Sequence, residues 1–259
     1  LKMKLKSKLL LALLATSSAV FAQTAPAAPE VTYNVGVVSQ YRYRGLAQTK
    51  GQPALQGGVD YANASGYYAG AWASQIQWIK DASQTGNSYT GNTELDLYGG
   101  YKFENSGISY DVGFLRYQYV GNNYGNVAAT GNTQYSNANT NEVYIAATSG
   151  VYTFKFSNSL SNLFGYVNSK NSDYFDLTAN YDMGGGITLS PHIGRQIVSG
   201  NGNYSYTDGS LTVAKDLGDG LSATAAAIVT NAKSTAFNSN STSYATGKSA
   251  VVIGLKYGF

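Results

Sequence analysis

The sequence contains no cysteine, one histidine, two tryptophans and four prolines in 259 residues. Without cysteine there is no disulfide, no thiolate metal site, no cysteine nucleophile and no acylated lipoprotein cysteine. The lone His192 cannot build a multi-histidine metal site, and no carboxylate flanks it in the sequence. No run of 18 apolar residues occurs. A membrane-spanning helix needs about 20, so a helical membrane protein is excluded. Charge is scarce too, at 12% of residues, and the mean hydropathy is negative although 43% of residues are hydrophobic. The formal charge of +3 has a local origin. Lys2, Lys4, Lys6 and Lys8 lie in a lysine-rich start that leads into Leu9–Leu14 and the small residues Ala15–Ala22. Residues 1–22 therefore read as a secretory signal with Val20-Phe21-Ala22 as its cleavage site, and 23–30 as a short periplasmic linker. Without those four lysines the basic residues fall just below the 14 acids. Net charge is then no argument for a nucleic-acid partner.

What is abundant is glycine, with 30 residues, and tyrosine, with 23. That composition belongs to strands and turns. The final stretch shows the pattern most clearly. Val251, Ile253, Leu255, Tyr257 and Phe259 share one parity, and Lys248, Ala250, Val252, Gly254, Lys256 and Gly258 the other. Successive side chains of a strand face opposite ways, so this is an oily face backed by a small or polar one. An edge strand of a soluble sandwich also alternates. A last strand with apolar residues outside and polar residues inside is how outer-membrane barrels close.

Twelve such segments follow from Val31 onward: 32–44, 53–62, 67–78, 93–103, 108–120, 140–149, 151–159, 173–183, 187–198, 204–216, 221–231 and the final one. On the first, Tyr33, Val35, Val37, Tyr41 and Tyr43 read as outward. On the third, Tyr68, Trp72, Ile76 and Trp78 do. On the fifth, the apolar parity slips from Phe114 to Leu115, Tyr117 and Tyr119, which reads as a bulge. Tyr33 to Tyr43 and Tyr68 to Trp78 are each ten residues apart. That separation spans roughly 25 Å on a tilted strand and predicts two aromatic girdles. Connections after odd-numbered segments are long (45–52, 79–92, 121–139, 160–172, 199–203, 232–247). Those after even-numbered ones are tight. Short periplasmic turns and longer external loops make that pattern. The chain thus reads as all-β: a single 12-stranded antiparallel transmembrane β-barrel of outer-membrane type over 31–259. An autotransporter reading leaves only 23–29 for a passenger.

Four blocks carry a family resemblance: SQYRYRGLAQTKGQPALQGGVDYANASGYYAGAWAS (39–74), TELDLYGGY (93–101), SLTVAKDLGDGLSATAAAIVTNA (210–232) and GKSAVVIGLKYGF (247–259). They resemble the TorF-family porins, the Gcw_chp proteins of proteobacteria. The resemblance implies an outer-membrane barrel acting as a pore, and it carries no catalytic or binding residue.

By parity the lumen receives Arg42, Arg44, Glu94, Asp96, Lys102, Asp111, Arg116, Glu142, Asp176 and Lys248 as pore-lining candidates. Interior charges either wet a channel and tune what passes, or neutralise one another in a plugged lumen. Arg42, Arg44 and Lys248 read as a cationic cluster at the external mouth, and Asp60 as paired opposite about Val38. Glu94 and Asp96 share one face at about 6.6 Å, the spacing of two wet interior positions. His192 reads as an inward, structural histidine. A lipid-face Ser–His hydrolase would need it to point outward. Gly184-Gly185-Gly186 reads as a tight turn, since no Lys-Ser/Thr follows it. Tyr257 and Phe259 read as the signal by which the C-terminal strand meets the barrel-assembly machinery. The residues thus describe a porin-like barrel for passive diffusion of small hydrophilic solutes, not an enzyme, with outer-membrane lipids as its surroundings and no cofactor or metal. The alternative is a plugged structural or receptor-like barrel whose loops bind a partner outside.

Overall fold

The computed structural model describes residues 29–82, 88–125, 135–234, 237–239 and 244–259. The leader 1–22 and the linker up to residue 28 lie outside the described residues, as does the middle of the long connection 121–139.

Twelve antiparallel strands close into a ring among the described residues. They are β1 Glu30–Val38, β2 Ala54–Ala62, β3 Tyr67–Gln75, β4 Thr93–Asn105, β5 Ile108–Val120 and β6 Thr140–Ser149. Then come β7 Tyr152–Ser159, β8 Asp173–Ala179 continued by Tyr181–Asp182, β9 Ile187–Ile197, β10 Tyr206–Gly218, β11 Leu221–Thr230 and β12 Ala250–Gly258. Each strand pairs with its sequence neighbours, and β1 pairs with β12 in the register Val35↔Tyr257 and Val37↔Leu255. Tyr33 and Phe259 exchange both backbone hydrogen bonds, at 2.8 and 2.9 Å, and their rings stack. A closed ring leaves no unpaired edge, which a strand in lipid requires. Tight turns are written locally. Ser106-Gly107 and Asp219-Gly220 both hold positive φ, the conformation that a two-residue hairpin turn demands.

The polarity is inverted relative to a water-soluble core. Val251, Ile253, Leu255, Leu97, Phe154 and Leu211 are exposed on the outer face, whereas Arg44, Glu94 and Glu142 are at most 3% exposed inside. A continuous exposed apolar surface of this kind marks a lipid interface. At the short-turn end the outer face carries paired rings: Tyr67–Tyr101 tilted, and Tyr101–Phe103, Phe103–Tyr110 and Tyr257–Phe259 stacked.

Four features of the sequence reading change. The first strand stops at Val38, and Tyr41 and Tyr43 turn inward instead of out. Strand β3 has the opposite parity to that expected. Tyr67 is exposed outside, while Tyr68 reaches Asp111 and Trp72 packs on Tyr41. Ile76 and Trp78 lie beyond β3, which ends at Gln75; Trp78 opens the short helix α1 (Trp78–Asp81). The bulge on β5 does not exist: β4 and β5 pair without interruption from Thr93↔Val120 to Asn105↔Ile108. Leu115, Tyr117 and Tyr119 therefore face inward. A register shift occurs instead at Asp216/Gly218, beside the β10–β11 turn. Only the short-turn end has an outward aromatic girdle among the described residues. At the long-loop end the outward positions mix aliphatic side chains, such as Val120, Ile197 and Val251, with polar ones, where Arg116 bonds Gln118 and Asn141, and Arg195 bonds Thr207. Rings stay inside at that end because other rings are there to cover them.

Candidate functional site

The connection between β1 and β2, residues 39–53, does not stand outside the barrel. It folds into the lumen and crosses it. Ser39 is still held by β12, through Ile253. Arg42–Tyr43 then pairs with Leu46–Ala47 in a miniature hairpin. Thr49 closes its base, accepting from the Tyr41 N–H at 3.0 Å and donating to the Gln52 carbonyl at 2.6 Å. The tip is Arg44-Gly45, both at positive φ. A Cβ at Gly45 would lie 2.6 Å from the Cβ of Asp208 on β10, so only glycine lets the tip seat against that wall.

The hairpin is fastened along its length. The Tyr41 hydroxyl donates to Glu94 at 2.9 Å, and the Tyr43 hydroxyl bonds the Tyr117 hydroxyl. Arg42 donates to Gln40 at 2.9 Å and to the carbonyls of Gly45 and Thr246 at 3.0 and 3.2 Å. Arg44 makes a two-point pair with Glu142 on β6, at 3.0 and 2.7 Å, and donates to Gln196 on β9 at 2.8 Å. Its guanidinium also lies 4.1 Å from the Tyr174 ring centroid, on β8. Arginine suits this position because its planar fork satisfies a carboxylate and an amide together while stacking on a ring.

Toward the short-turn end the lumen wall is built from tyrosines over cross-strand glycines. Tyr98 faces Gly70, Tyr68 faces Gly100 and Tyr144 faces Gly113. A Cβ at Gly70 or Gly113 would lie 2.5 Å from the facing ring. The hydroxyls reach acids: Tyr68 to Asp111 at 2.6 Å, Tyr98 to Asp60. Lys102 lies 5.0 Å from the Tyr68 ring and Lys155 4.0 Å from that of Tyr144. His192 contacts Asp176 at 3.1 Å and Asp208 at 3.7 Å, with the Tyr174 hydroxyl at 3.4 Å. These carboxylates come from the strands on either side, which sequence adjacency could not reveal.

Arg44, Glu94, Asp96, Lys102, Asp111, Glu142 and Asp176 thus face the lumen, and Arg42 is buried in the hairpin. Asp96 keeps one carboxylate oxygen buried without a partner. Two candidates leave the set. Arg116 has outward parity on the unbroken β5, and Lys248 is exposed in the turn before β12. With them goes the cationic mouth: Arg44 is neutralised by Glu142 and Arg42 is absorbed by carbonyls. Asp60 pairs opposite Thr32, not Val38. Acids then outnumber bases along the lumen. Sequence reading missed the crossing itself. One signal was available, since segment 32–44 is longer than its partner 53–62, which leaves residues 39–44 with no strand to pair against.

Above the hairpin, all six long connections line one cavity of about 120 Å³. Its walls include Tyr43, Trp78, Tyr124, Phe164, Tyr204 and Phe237. Asp81, in α1, is the acid at this mouth. Burial raises its carboxyl above the ordinary range, against the opposing pull of Lys50.

An oily exterior, a polar and charged lumen and twelve strands closed by their termini define the porin type of outer-membrane β-barrel fold. The KdgM porin superposes with a TM-score of 0.53 at 7% identity, covering 88% of this chain and 98% of that one. The KdgM porin in complex with disordered oligogalacturonate gives 0.51 at 8% over 88% and 98%, and the NanC porin 0.50 at 10% over 88% and 99%. At such identities the likeness is one of fold. No curated protein matches the sequence. Residues 22–259 match the Gcw_chp family, described as a bacterial protein of unknown function, and the chain belongs to that family.

Proposed function

We propose that this protein is an outer-membrane porin passing small hydrophilic solutes, narrowed by its own first loop. The observation behind this reading is the lumen-crossing hairpin. It enters a polar, charge-lined barrel and is held there by side-chain bonds to several wall strands. Removable polar contacts of this kind suit a constriction. The TorF-porin assignment implied by the sequence blocks belongs to the same proposal. So do export by the leader 1–22, residence in the outer membrane, and insertion by the assembly machinery through β12.

Planar-bilayer conductance tests it. The wild type should give small channels, and Arg44→Ala larger or longer-lived ones. A second reading, a plugged barrel, draws on the near-complete burial of Arg44, Glu94 and Glu142. Absence of current from both proteins, each shown to be folded, decides for the plug.

A further inference from the structure

The mouth above the hairpin has more aromatic surface than a wet entrance needs. The rings of Tyr166 and Tyr204 lie 4.1 Å apart and those of Tyr124 and Tyr135 4.8 Å apart. All four line the cavity, together with Trp78. Among the described residues that line it there is no lysine, arginine or histidine; the single charge is Asp81, within 4.0 Å of Lys50. The Trp78 indole N–H is buried and has no acceptor. An indole N–H is a donor only, and a buried donor of this kind usually has a partner.

We propose that this mouth binds one ring of an uncharged saccharide. The claim deepens the porin reading and rests on it for what happens to the sugar after binding. Three observations select the ligand class. Aromatic walls with a few polar groups suit a flat ring that is apolar on its faces and hydroxylated at its edge. An acidic sugar would meet the Asp81 carboxylate, and the cation beside it, Lys50, is already paired with that carboxylate and does not line the cavity. An organic ammonium would also suit aromatic faces, but it brings no oxygen to the Trp78 donor, and Asp81 already has Lys50 beside it. The size limits the guest as well. A closed cavity of about 150 Å³ takes one benzene, and this one, at about 120 Å³, is smaller but open to the outside, so it seats the face of a single ring while the rest of the chain stays outside.

The test uses the protein's two tryptophans. Trp72→Phe leaves Trp78 as the sole indole in the full chain. Its fluorescence is titrated, in detergent micelles, with maltotriose, cellotriose, trigalacturonate and tetramethylammonium. A saturable change with a neutral trisaccharide is expected, insensitive to salt and weakened roughly 3- to 10-fold by Tyr204→Ala, which removes one ring. Tyr166→Leu is the second variant, and heat-modifiable gel migration reports folding for both. Tyr61→Ala, on the outer face at the opposite end, should change nothing. The proposal is overturned if neither neutral sugar gives a saturable change, if trigalacturonate or tetramethylammonium binds more tightly, or if both ring variants, shown folded, bind as before. Binding is read without current. A barrel that binds the sugar but never conducts sinks the porin reading alone, and a conducting barrel blind to neutral sugars sinks this one alone.

Discussion

Arg44 and Glu142 lie 98 residues apart in sequence and meet in a two-point ion pair, at 2.7 and 3.0 Å, inside the barrel near its long-loop end. Arg44 arrives on a loop and Glu142 on the wall. The pair therefore ties a loop to the barrel wall. Its value lies less in net stability than in the cost of breaking it on one side only.

Arg44→Ala leaves Glu142 buried with no cation and with the Tyr117 hydroxyl, at 3.2 Å, still donating to it. A loss of roughly 3–5 kcal/mol is expected for the docked loop. That cost appears as higher single-channel conductance and as proteolytic sensitivity within 39–53, with unchanged heat-modifiable migration of the barrel. Glu142→Gln should have a milder effect, since an amide still accepts from the guanidinium. Equal, unaltered conductance in both would detach the pair from the constriction.

Ionic selectivity should lean toward cations, because the lumen's acids outnumber its bases. Reversal potentials under a KCl gradient measure this. Lys102→Ala and Lys155→Ala should shift the potential further toward cations, most at low salt, where the screening length exceeds about 10 Å. Arg116→Ala should leave it untouched, since that side chain is on the outer face. A shift with Arg116→Ala equal to that with Lys102→Ala would contradict the parity of β5.

Insertion should depend on the closing strand. Leu255→Lys places a charge on the lipid face at about 2–4 kcal/mol near mid-bilayer, less toward the edge. Deleting Phe259 removes the backbone exchange with Tyr33. Both should reduce the folded, heat-modifiable band in membrane fractions.

Sidedness can be read by labelling, with no native cysteine to interfere. Cysteines at Lys170 and Asn203, exposed on long connections, should react on intact cells. Cysteines at Ser106 and Gly185, exposed in tight turns, should not. Reversed labelling would invert the barrel.

A cavity-side glycine supplies the fourth mutational test. Gly70→Ala puts a methyl within 2.5 Å of the Tyr98 ring and should drive that ring into the lumen. Lower conductance in Gly70→Ala, restored by adding Tyr98→Ser, is the expected pair of results.

Most of the barrel was legible because a strand in lipid has few choices. Val251 to Phe259 alternate with lumen residues, and the same alternation recurs on most of the other strands. The strands that misled were those whose inner face is also apolar. Trp72 and Tyr68 look like lipid-facing residues by hydropathy, yet Ala69, Ala71 and Ala73 hold the outer positions of β3. Tyr117 and Tyr119 imitated a bulge for the same reason: they contact Tyr43 and Trp78 of inward loops. Periodicity reports where apolar side chains recur, not which apolar surface receives them. The Asp176–His192–Asp208 contacts were hidden differently. They depend on register across three strands, which no single strand encodes.

The crossing hairpin also has a consequence in time. Residues 39–53 are made early, but their seats are Glu142, Gln196 and Asp208, which belong to strands synthesised long afterwards. The loop cannot find its berth until those strands are in place around it. The seat of the hairpin is therefore a product of the closed ring, and the strand that leads into the hairpin, β1, is also the one that closes that ring against β12.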